Sequence, residues 1–339
     1  MNHSEDISAS TDPKSAAIEK ALEPIRDDLE KVDLEFRKNL ESDVSIISAI
    51  GEYVLSSGGK RFRPILLILS AKLCGYQGDR HIPLASLVEF IHTATLLHDD
   101  VVDKAEIRRG SASANSKWGN EASVLVGDFL FTKSFSLLVE KGNWEIFQVL
   151  SRATTLMAEG ELEELIRTDD ISLTEEGYLS IITRKTASLI SAASQVGAIL
   201  ANVSEEKKKA LSHFGTDVGI AFQLMDDNLD YTSREEEFGK EIGIDLQRGK
   251  VTLPLIYALR HCTPEEKAFI QETVEKASLT QEAFVRVAEI IERSRGIWYS
   301  CEKGKEYIDR AKRHLHLFED SEFRQALFTL ADYVIERRL

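Results

Sequence analysis

The chain has 339 residues, 43% apolar and 29% charged, enough to bury a substantial core as one large domain or two ordinary ones. Its formal net charge of −15 argues against general nucleic-acid binding, which needs a basic surface, so a polyanionic substrate would have to be reached through metal ions. Cys74, Cys262 and Cys301 lack metal-ligand spacing and give no disulfide framework, which fits a reducing cytoplasm.

The first 14 residues are polar and carry no apolar segment of the signal-peptide kind, so 1–14 reads as a frayed tail and 15–339 as one folded domain. Apolar runs such as Ile65–Leu69 are too short to span a bilayer, so no transmembrane segment is expected. In chain order, helical spacing predicts helices near Ser42–Ser56, Arg63–Cys74, Pro83–Ala105, Asn120–Glu140, Trp144–Arg167, Thr174–Ala201, Glu205–Tyr231 and Leu253–Arg260. Glycine-bearing or charged breaks separate them, the longest running from Ser233 to Lys250. Thr263-Pro264-Glu265-Glu266 has the form of a capping box with proline at the first helical position. Helices at Gln281–Lys303 and Lys305–Phe318 and a last one from Glu322 complete the pattern. No sustained period-two alternation and no glycine-rich phosphate loop appears, so the fold class is all-α, a single large helical domain around a cavity.

Two acidic clusters stand inside this helical pattern: Asp99-Asp100-Val101-Val102-Asp103 and Asp226-Asp227-Asn228-Leu229-Asp230. Positions i and i+4 share a helix face, so Asp99 points with Asp103 and Asp226 with Asp230. Asp100 and Asp227 lie about 100° further round. Crowded carboxylates on a core helix repel one another and resist desolvation, so they require a cation. Hard oxygen donors favour Mg²⁺, which takes one or two protein carboxylates and completes its octahedron with water and phosphate oxygens. One cluster alone could be a solvated helix end. Two in apolar surroundings suit a diphosphate gripped from both sides.

The basic residues form motifs of their own. Gly58-Gly59-Lys60-Arg61-Phe62-Arg63-Pro64 precedes a helix, Arg108-Arg109-Gly110 follows the first acidic cluster, Lys185-Thr186 lies within a helix, and Lys240 and Lys250 lie in the glycine-bearing loop after the second cluster. Arginine forks and lysine point charges both suit phosphate. Together with His98-Asp-Asp-Val-Val-Asp, Phe222-Gln-Leu-Met-Asp-Asp-Asn-Leu-Asp and the later Gly-Lys…Asp-Leu…Gly-Lys-Val-Thr-Leu-Pro, these motifs closely resemble the trans-isoprenyl diphosphate synthases. The resemblance runs from about Ile18 to the closing Ala-Asp-Tyr-Val-Ile-Glu-Arg-Arg, and is strongest to the long-chain branch that makes quinone side chains.

That resemblance implies an isoprenoid-synthase helical bundle, commonly a homodimer, in which Asp99, Asp100, Asp103, Asp226, Asp227 and Asp230 hold about three Mg²⁺ ions on an allylic diphosphate. It implies that Arg108, Lys185 and Lys240 support the same diphosphate, with Lys250 beside them. Lys60, Arg63, His92 and Arg109 would bind isopentenyl diphosphate, and Thr186 and Gln223 would steady the allylic cation. The product would be about octaprenyl, released with possible contact at a membrane surface. One departure stands out: where the family often has Gly-Glu-x-x-Gln, this chain has Gly160-Glu161-Leu162-Glu163-Glu164, adding a charge near the cavity while leaving the metal ligands intact.

Three rivals are weighed. His98-Asp99 resembles the dyad of metal-dependent phosphohydrolases, but that reading leaves the lysine–arginine motif unexplained. A non-catalytic partner subunit would be expected to lose aspartates that this chain keeps, and a terpene cyclase has no need of a second diphosphate site. A shorter-chain synthase, making farnesyl or geranylgeranyl diphosphate, is the alternative within the family. Upstream of Asp99, the positions on nearby faces are Thr95, Ala94, Ile91 and Leu87, and Leu137 and Leu138 on the next helix are candidates for a tunnel floor. A bulky aromatic near Ala94 closes the tunnel in short-chain members, whereas alanine leaves it open; alanine is also simply a good helix former. Ala94→Phe or Ala94→Tyr is expected to shorten the products, and unchanged lengths of radiolabelled product would remove Ala94 as a gate.

Overall fold

The computed structural model describes residues 13–232, 243–275 and 280–336. The order is α1 (Pro13–Leu22), a 3₁₀ turn, α2 (Arg26–Asn39), α3 (Ser45–Ser56), α4 (Phe62–Leu73), α5 (His81–Val102), β1 (Ile107–Arg108), β2 (Ser111–Ala112), α6 (Ala114–Trp118), α7 (Asn120–Lys141) and α8 (Trp144–Ile166). It continues with α9 (Glu175–Ile182), a π-helical segment (Thr183–Ala187), α10 (Ser188–Leu200), α11 (Glu205–Thr232), α12 (Ile244–Gln247), α13 (Leu253–Leu259), α14 (Pro264–Glu275), α15 (Gln281–Arg293), α16 (Gly296–His314), a second 3₁₀ turn, and α17 (Glu322–Glu336). The all-α expectation holds. The only strands among the described residues are the two-residue pair β1–β2, an antiparallel hairpin with Arg108 opposite Ser111.

Local signals account for many of the boundaries. Asn143 caps α8 by accepting from the Ile146 N–H at 2.8 Å, and Thr174 caps α9 by accepting from Gly177. The capping box at Thr263 forms as its residues require: Glu266 accepts from the Thr263 N–H and Thr263 Oγ1 accepts from the Glu266 N–H.

Four differences from the sequence expectation have identifiable causes. Helices α1 and α2 occupy a region where no helix was expected; the first twelve positions of the expected tail lie outside the described residues, and α1 already begins at Pro13. The break expected at Gly304 falls instead at Arg295, which takes a left-handed φ of 62°. Gly304 remains inside α16, where its bare Cα leaves room beside Met225. The expected helix Thr174–Ala201 is present but carries the π-helical segment in its middle. Finally, α7 is a longer apolar element than the short runs suggested: by length and composition alone it could cross a membrane, a test that core helices also pass, and one side of it packs on α5.

The core is organised around α10, which packs on α4, α5, α8 and α11. Its sequence Ser-Leu-Ile-Ser-Ala-Ala-Ser-Gln-Val-Gly is rich in small residues, which lets neighbouring backbones approach closely. A Cβ at Gly219 of α11 would come within 2.6 Å of Ala187 Cα, so glycine there admits the backbone running into α10. Two apolar clusters result, one around α4, α5, α7 and α10 and one around α9, α13 and α15. Helix α11 serves both, through Phe214 and Val218 on one side and Ile220 and Leu224 on the other. Helix α11 packs along the π segment, with Gln223 on Thr186, and Asp99 of α5 lies near enough to Lys185 for their charges to interact.

Candidate active site

The two acidic clusters divide by face as the helical period requires. Asp99, Asp103, Asp226 and Asp230 are half-buried, whereas Asp100 and Asp227 are buried. The buried members are already partnered. Arg108 Nε donates to both oxygens of Asp100 at 2.7 and 2.8 Å, joining the hairpin to α5. Asp227 accepts from Tyr178 Oη and, at 2.7 Å, from Gln223 Nε2. Gln223 Oε1 accepts from Thr186 Oγ1 at 2.8 Å. A continuous chain therefore runs Thr186–Gln223–Asp227–Tyr178. Because the Thr186 proton is committed to Gln223, the hydroxyl oxygen keeps its lone pairs free. Burial, then Asp245, pushes the Asp227 carboxyl well above the usual carboxylate range despite those two hydrogen bonds.

The outward-facing carboxylates meet cations and backbone donors. Asp103 Oδ2 lies 2.7 Å from the Arg248 guanidinium and 3.5 Å from Lys250 Nζ. Asp230 accepts from the N–H groups of Ile244 and Asp245 at 3.1 and 3.0 Å, fastening α12 to the end of α11. Burial raises the Asp99 pKa to about 7, with Glu161 adding to the rise and Lys185 and Arg108 opposing it. Lys185 bridges Glu161 and Glu164, each at 2.6 Å. Burial works against the Lys185 charge, but Glu164 and Glu161 outweigh it and hold the ammonium above its ordinary range.

Lys185 and Thr186 belong to the π segment. A π turn inserts an extra residue into the helical ladder and re-aims the side chains on it. Opposite, α8 approaches so closely that a Cβ at Gly160 would lie 2.5 Å from Lys185 N, which sets Glu161 and Glu164 against the lysine. A cavity lies along this segment, lined by Glu164, Lys185, Thr186, Gln223, Asp245 and Lys250.

A second group of cations gathers at the start of α4. A Cβ on Gly59 would come within 2.9 Å of the Arg109 guanidinium. Arg63 Nε is buried without a hydrogen-bond partner. Burial draws the Arg63 pKa down to about 10, Arg109 adds to the fall, and Glu89 and Asp226 oppose it. Burial followed by Arg63, Arg109 and Arg108 pushes His92 well below its ordinary value, so it is neutral at pH 7. Lys60 stands apart, donating to Tyr333 Oη of α17 at 2.6 Å.

The placements thus bring Asp99, Asp103, Lys185 and Lys250 together, and Arg63, His92 and Arg109 together. Arg108 Nε is engaged with Asp100. Lys240 lies outside the described residues. Leu87, Ile91 and Ala94 are buried in the core that α5 shares with α7, as are Leu137 and Leu138, while Thr95 is half-buried with its hydroxyl donating to the His92 carbonyl. His98 turns away from the aspartates toward α7, where its Nε2 meets the Val124 carbonyl at 3.1 Å and Asp128 at 3.4 Å, which removes the phosphohydrolase dyad.

Three site residues were not singled out from the sequence. Arg248 and Asp245 sit in the quoted Asp-Leu…Gly-Lys stretch and were readable there; Tyr178 carries no sequence signal, because its position beside Asp227 depends on how α9 packs.

The fold is a helical core in which the acidic ends of α5 and α11 stand among arginines and lysines brought from other elements. The chain belongs to the polyprenyl synthetase family, whose family model matches residues 44–291, and it is a prenyltransferase. It is 41% identical over 320 residues to octaprenyl diphosphate synthase from Escherichia coli (strain K12), covering 94% of this chain and 99% of that one. It is 38% identical over 317 residues to all-trans-nonaprenyl-diphosphate synthase (geranyl-diphosphate specific) from Rhodobacter capsulatus, covering 93% and 97%. Among solved structures, polyprenyl synthase from Caulobacter crescentus CB15, complexed with calcium and isoprenyl diphosphate, superposes with a TM-score of 0.92 at 41% identity, covering 95% of this chain and 98% of that one.

The raised Asp99 pKa has a definite sign for stability. Between the ordinary value of 3.8 and about 7 the folded chain holds a proton that the unfolded chain has lost. This group therefore lowers stability as pH rises through that window. In chelator, the wild-type melting midpoint is expected to fall from pH 4 to pH 7 more steeply than that of Asp99→Asn; parallel profiles would contradict the assignment.

Proposed function

We propose that the chain condenses isopentenyl diphosphate with an allylic diphosphate, in a Mg²⁺-dependent reaction, to make a long-chain diphosphate of about octaprenyl length for quinone side chains. Residues 15–339 act as one catalytic domain, and the three free cysteines suit a reducing cytoplasm. The observation that carries the reading is the pair of outward-facing aspartates on each of two helix ends, with Lys185 and Lys250 beside the first.

The residues fit magnesium. Their donors are hard carboxylate oxygens, and Asp99 is buried enough to resist ionising without a compensating cation. Asp99 and Asp103 from α5 and Asp226 and Asp230 from α11 would be the direct ligands, with Asp100 and Asp227 orienting them from behind. Among the described residues no three acidic, histidine or cysteine side chains converge on one point, so waters and substrate oxygens would fill most positions on each of about three ions. When bound, the metal supplies Lewis-acid neutralisation of charge on the departing diphosphate.

The chain's own groups do the rest. Lys185, Lys250 and Lys240 hold the allylic diphosphate as its C–O bond ionises, and Arg248 extends that cationic side. Arg108 supports the same end by fixing Asp100. Thr186 turns free lone pairs toward the carbocation, with its proton held by Gln223. Arg63 brings an unpaired buried donor to the diphosphate of isopentenyl diphosphate, helped by Arg109, Lys60 and the neutral His92. The double bond attacks the cation, and the proton lost afterwards passes to the released diphosphate. The growing tail runs along α5 past Ala94, Ile91 and Leu87 toward Leu137 and Leu138, with Thr95 near the mouth. Relatives named for octaprenyl and nonaprenyl products and the small side chain at Ala94 support a long product over farnesyl or geranylgeranyl diphosphate.

Purified protein given Mg²⁺, isopentenyl diphosphate and farnesyl or geranylgeranyl diphosphate should extend the chain, and Asp99→Ala or Asp226→Ala should abolish extension. Diphosphate release without extension would overturn the function, and extension by both variants would overturn the site.

The reading includes a homodimer. Helix α7 has a mean hydropathy of 1.5 in its most apolar window yet exposes Leu125 at 66% and Val139 at 79%, with Trp144 at the start of α8 exposed at 72%. An apolar face of this kind on a soluble enzyme is the mark of an interface. Light scattering after size exclusion should give a dimer that Leu125→Glu weakens toward monomer; a monomeric wild type would exclude it.

A further inference from the structure

Glu164 occupies an unusual position among the charges of the site. Its Oε2 lies 2.6 Å from Lys185 Nζ and 2.9 Å from Lys250 Nζ, so one carboxylate oxygen sits between two ammonium groups. The lysines arrive from different elements, the π segment and the loop after α12, and Glu164 reaches them from α8. Burial alone would raise its pKa, but Lys250 and Lys185 outweigh burial and hold the carboxyl below its ordinary range, so it is charged at neutral pH. An oxygen flanked by two ammonium groups at hydrogen-bond distance is the arrangement that a phosphate oxygen takes between two lysines.

We propose that Glu164 is an internal counter-anion, a positioning residue that holds Lys185 and Lys250 in the place an oxygen of the allylic diphosphate takes, so that diphosphate must displace it to bind. The inference rests on the reading of those lysines as diphosphate ligands. Its physical basis is charge. Without Glu164 the two ammonium groups would face the cavity with one fewer negative charge between them and attract diphosphate more strongly. With Glu164 present, part of that attraction is already satisfied, which weakens the grip on substrate diphosphate and on the inorganic diphosphate left after each addition. A synthase that repeats its reaction many times on one tail has to clear that diphosphate at every cycle.

Glu164→Gln keeps the shape and the ability to accept a hydrogen bond while removing the charge. Calorimetric titration with inorganic diphosphate, without metal and again with Mg²⁺, should show about tenfold tighter binding to this variant than to wild type. The KM for the allylic diphosphate should fall, and the KM for isopentenyl diphosphate should stay unchanged, a split that a merely structural role would not produce. Unchanged or weaker diphosphate binding would overturn the proposal. Lys185→Gln separates the two levels: it should weaken diphosphate binding. If it does and Glu164→Gln has no effect, only the counter-anion is lost; if Lys185→Gln also has no effect, the lysine assignment falls and the proposal with it.

Discussion

Like charges brought into a low-dielectric interior are the constraint on which this structure turns. Each acidic cluster puts three carboxylates within about one helical turn, and the fold removes the worst of the repulsion by giving the innermost one its own partner. Both oxygens of Asp100 share one arginine N–H, and Asp227 has a tyrosine and an amide. Breaking a buried pair of the Asp100–Arg108 kind costs roughly 3–5 kcal/mol, because it strands a charge. The solution differs between the clusters. The first supplies a full positive charge and the second only neutral donors, and burial and the neighbouring Asp245 keep Asp227 well above the ordinary carboxylate range. What remains on the cavity side is negative charge that the lysines and arginines of neighbouring elements counter only in part.

That arrangement explains why elements distant in sequence are tied together at this end of the molecule. Asp103 reaches the segment after α12, Glu164 of α8 reaches both that segment and the π turn, and Asp230 anchors α12 directly. The attachments are ionic or hydrogen-bonded, not apolar, so they can exchange partners with an anionic ligand without disturbing the two hydrophobic clusters beneath. Rigidity is supplied by α10 and the close backbone approaches around it. Adaptability is confined to the charged layer.

Much of this was legible in the sequence. The i, i+4 rule separated Asp99, Asp103, Asp226 and Asp230 from Asp100 and Asp227, and burial divides them along the same line. Arg63, His92 and Arg109 were grouped by motif and converge. The partner of each buried carboxylate was not legible, because Tyr178 and Arg108 reach their aspartates through tertiary packing that no local pattern encodes. The helix break at Arg295 was also hidden: glycine at 304 is the stronger local signal, yet it lies inside a continuous helix, Gly296–His314. The two N-terminal helices, α1 and α2, were missed because α2 is strongly charged and its apolar stripe is narrow, with Val32 and Phe36 its main buried side chains.

The π segment at Thr183–Ala187 has a consequence for how this protein can change. Because it holds one residue more than an α-helix would, it is a frame shift built into the middle of a core element. Deleting a single residue there would restore a regular helix while leaving α9 and α10 in register, because the wider turn is what absorbs the extra residue. The change would fall on the turn itself: Lys185 and Thr186 would be re-aimed, while Tyr178 on α9 would keep its place beside Asp227. Point substitutions can tune this site one contact at a time. The length of that one turn is a property the chain cannot alter gradually.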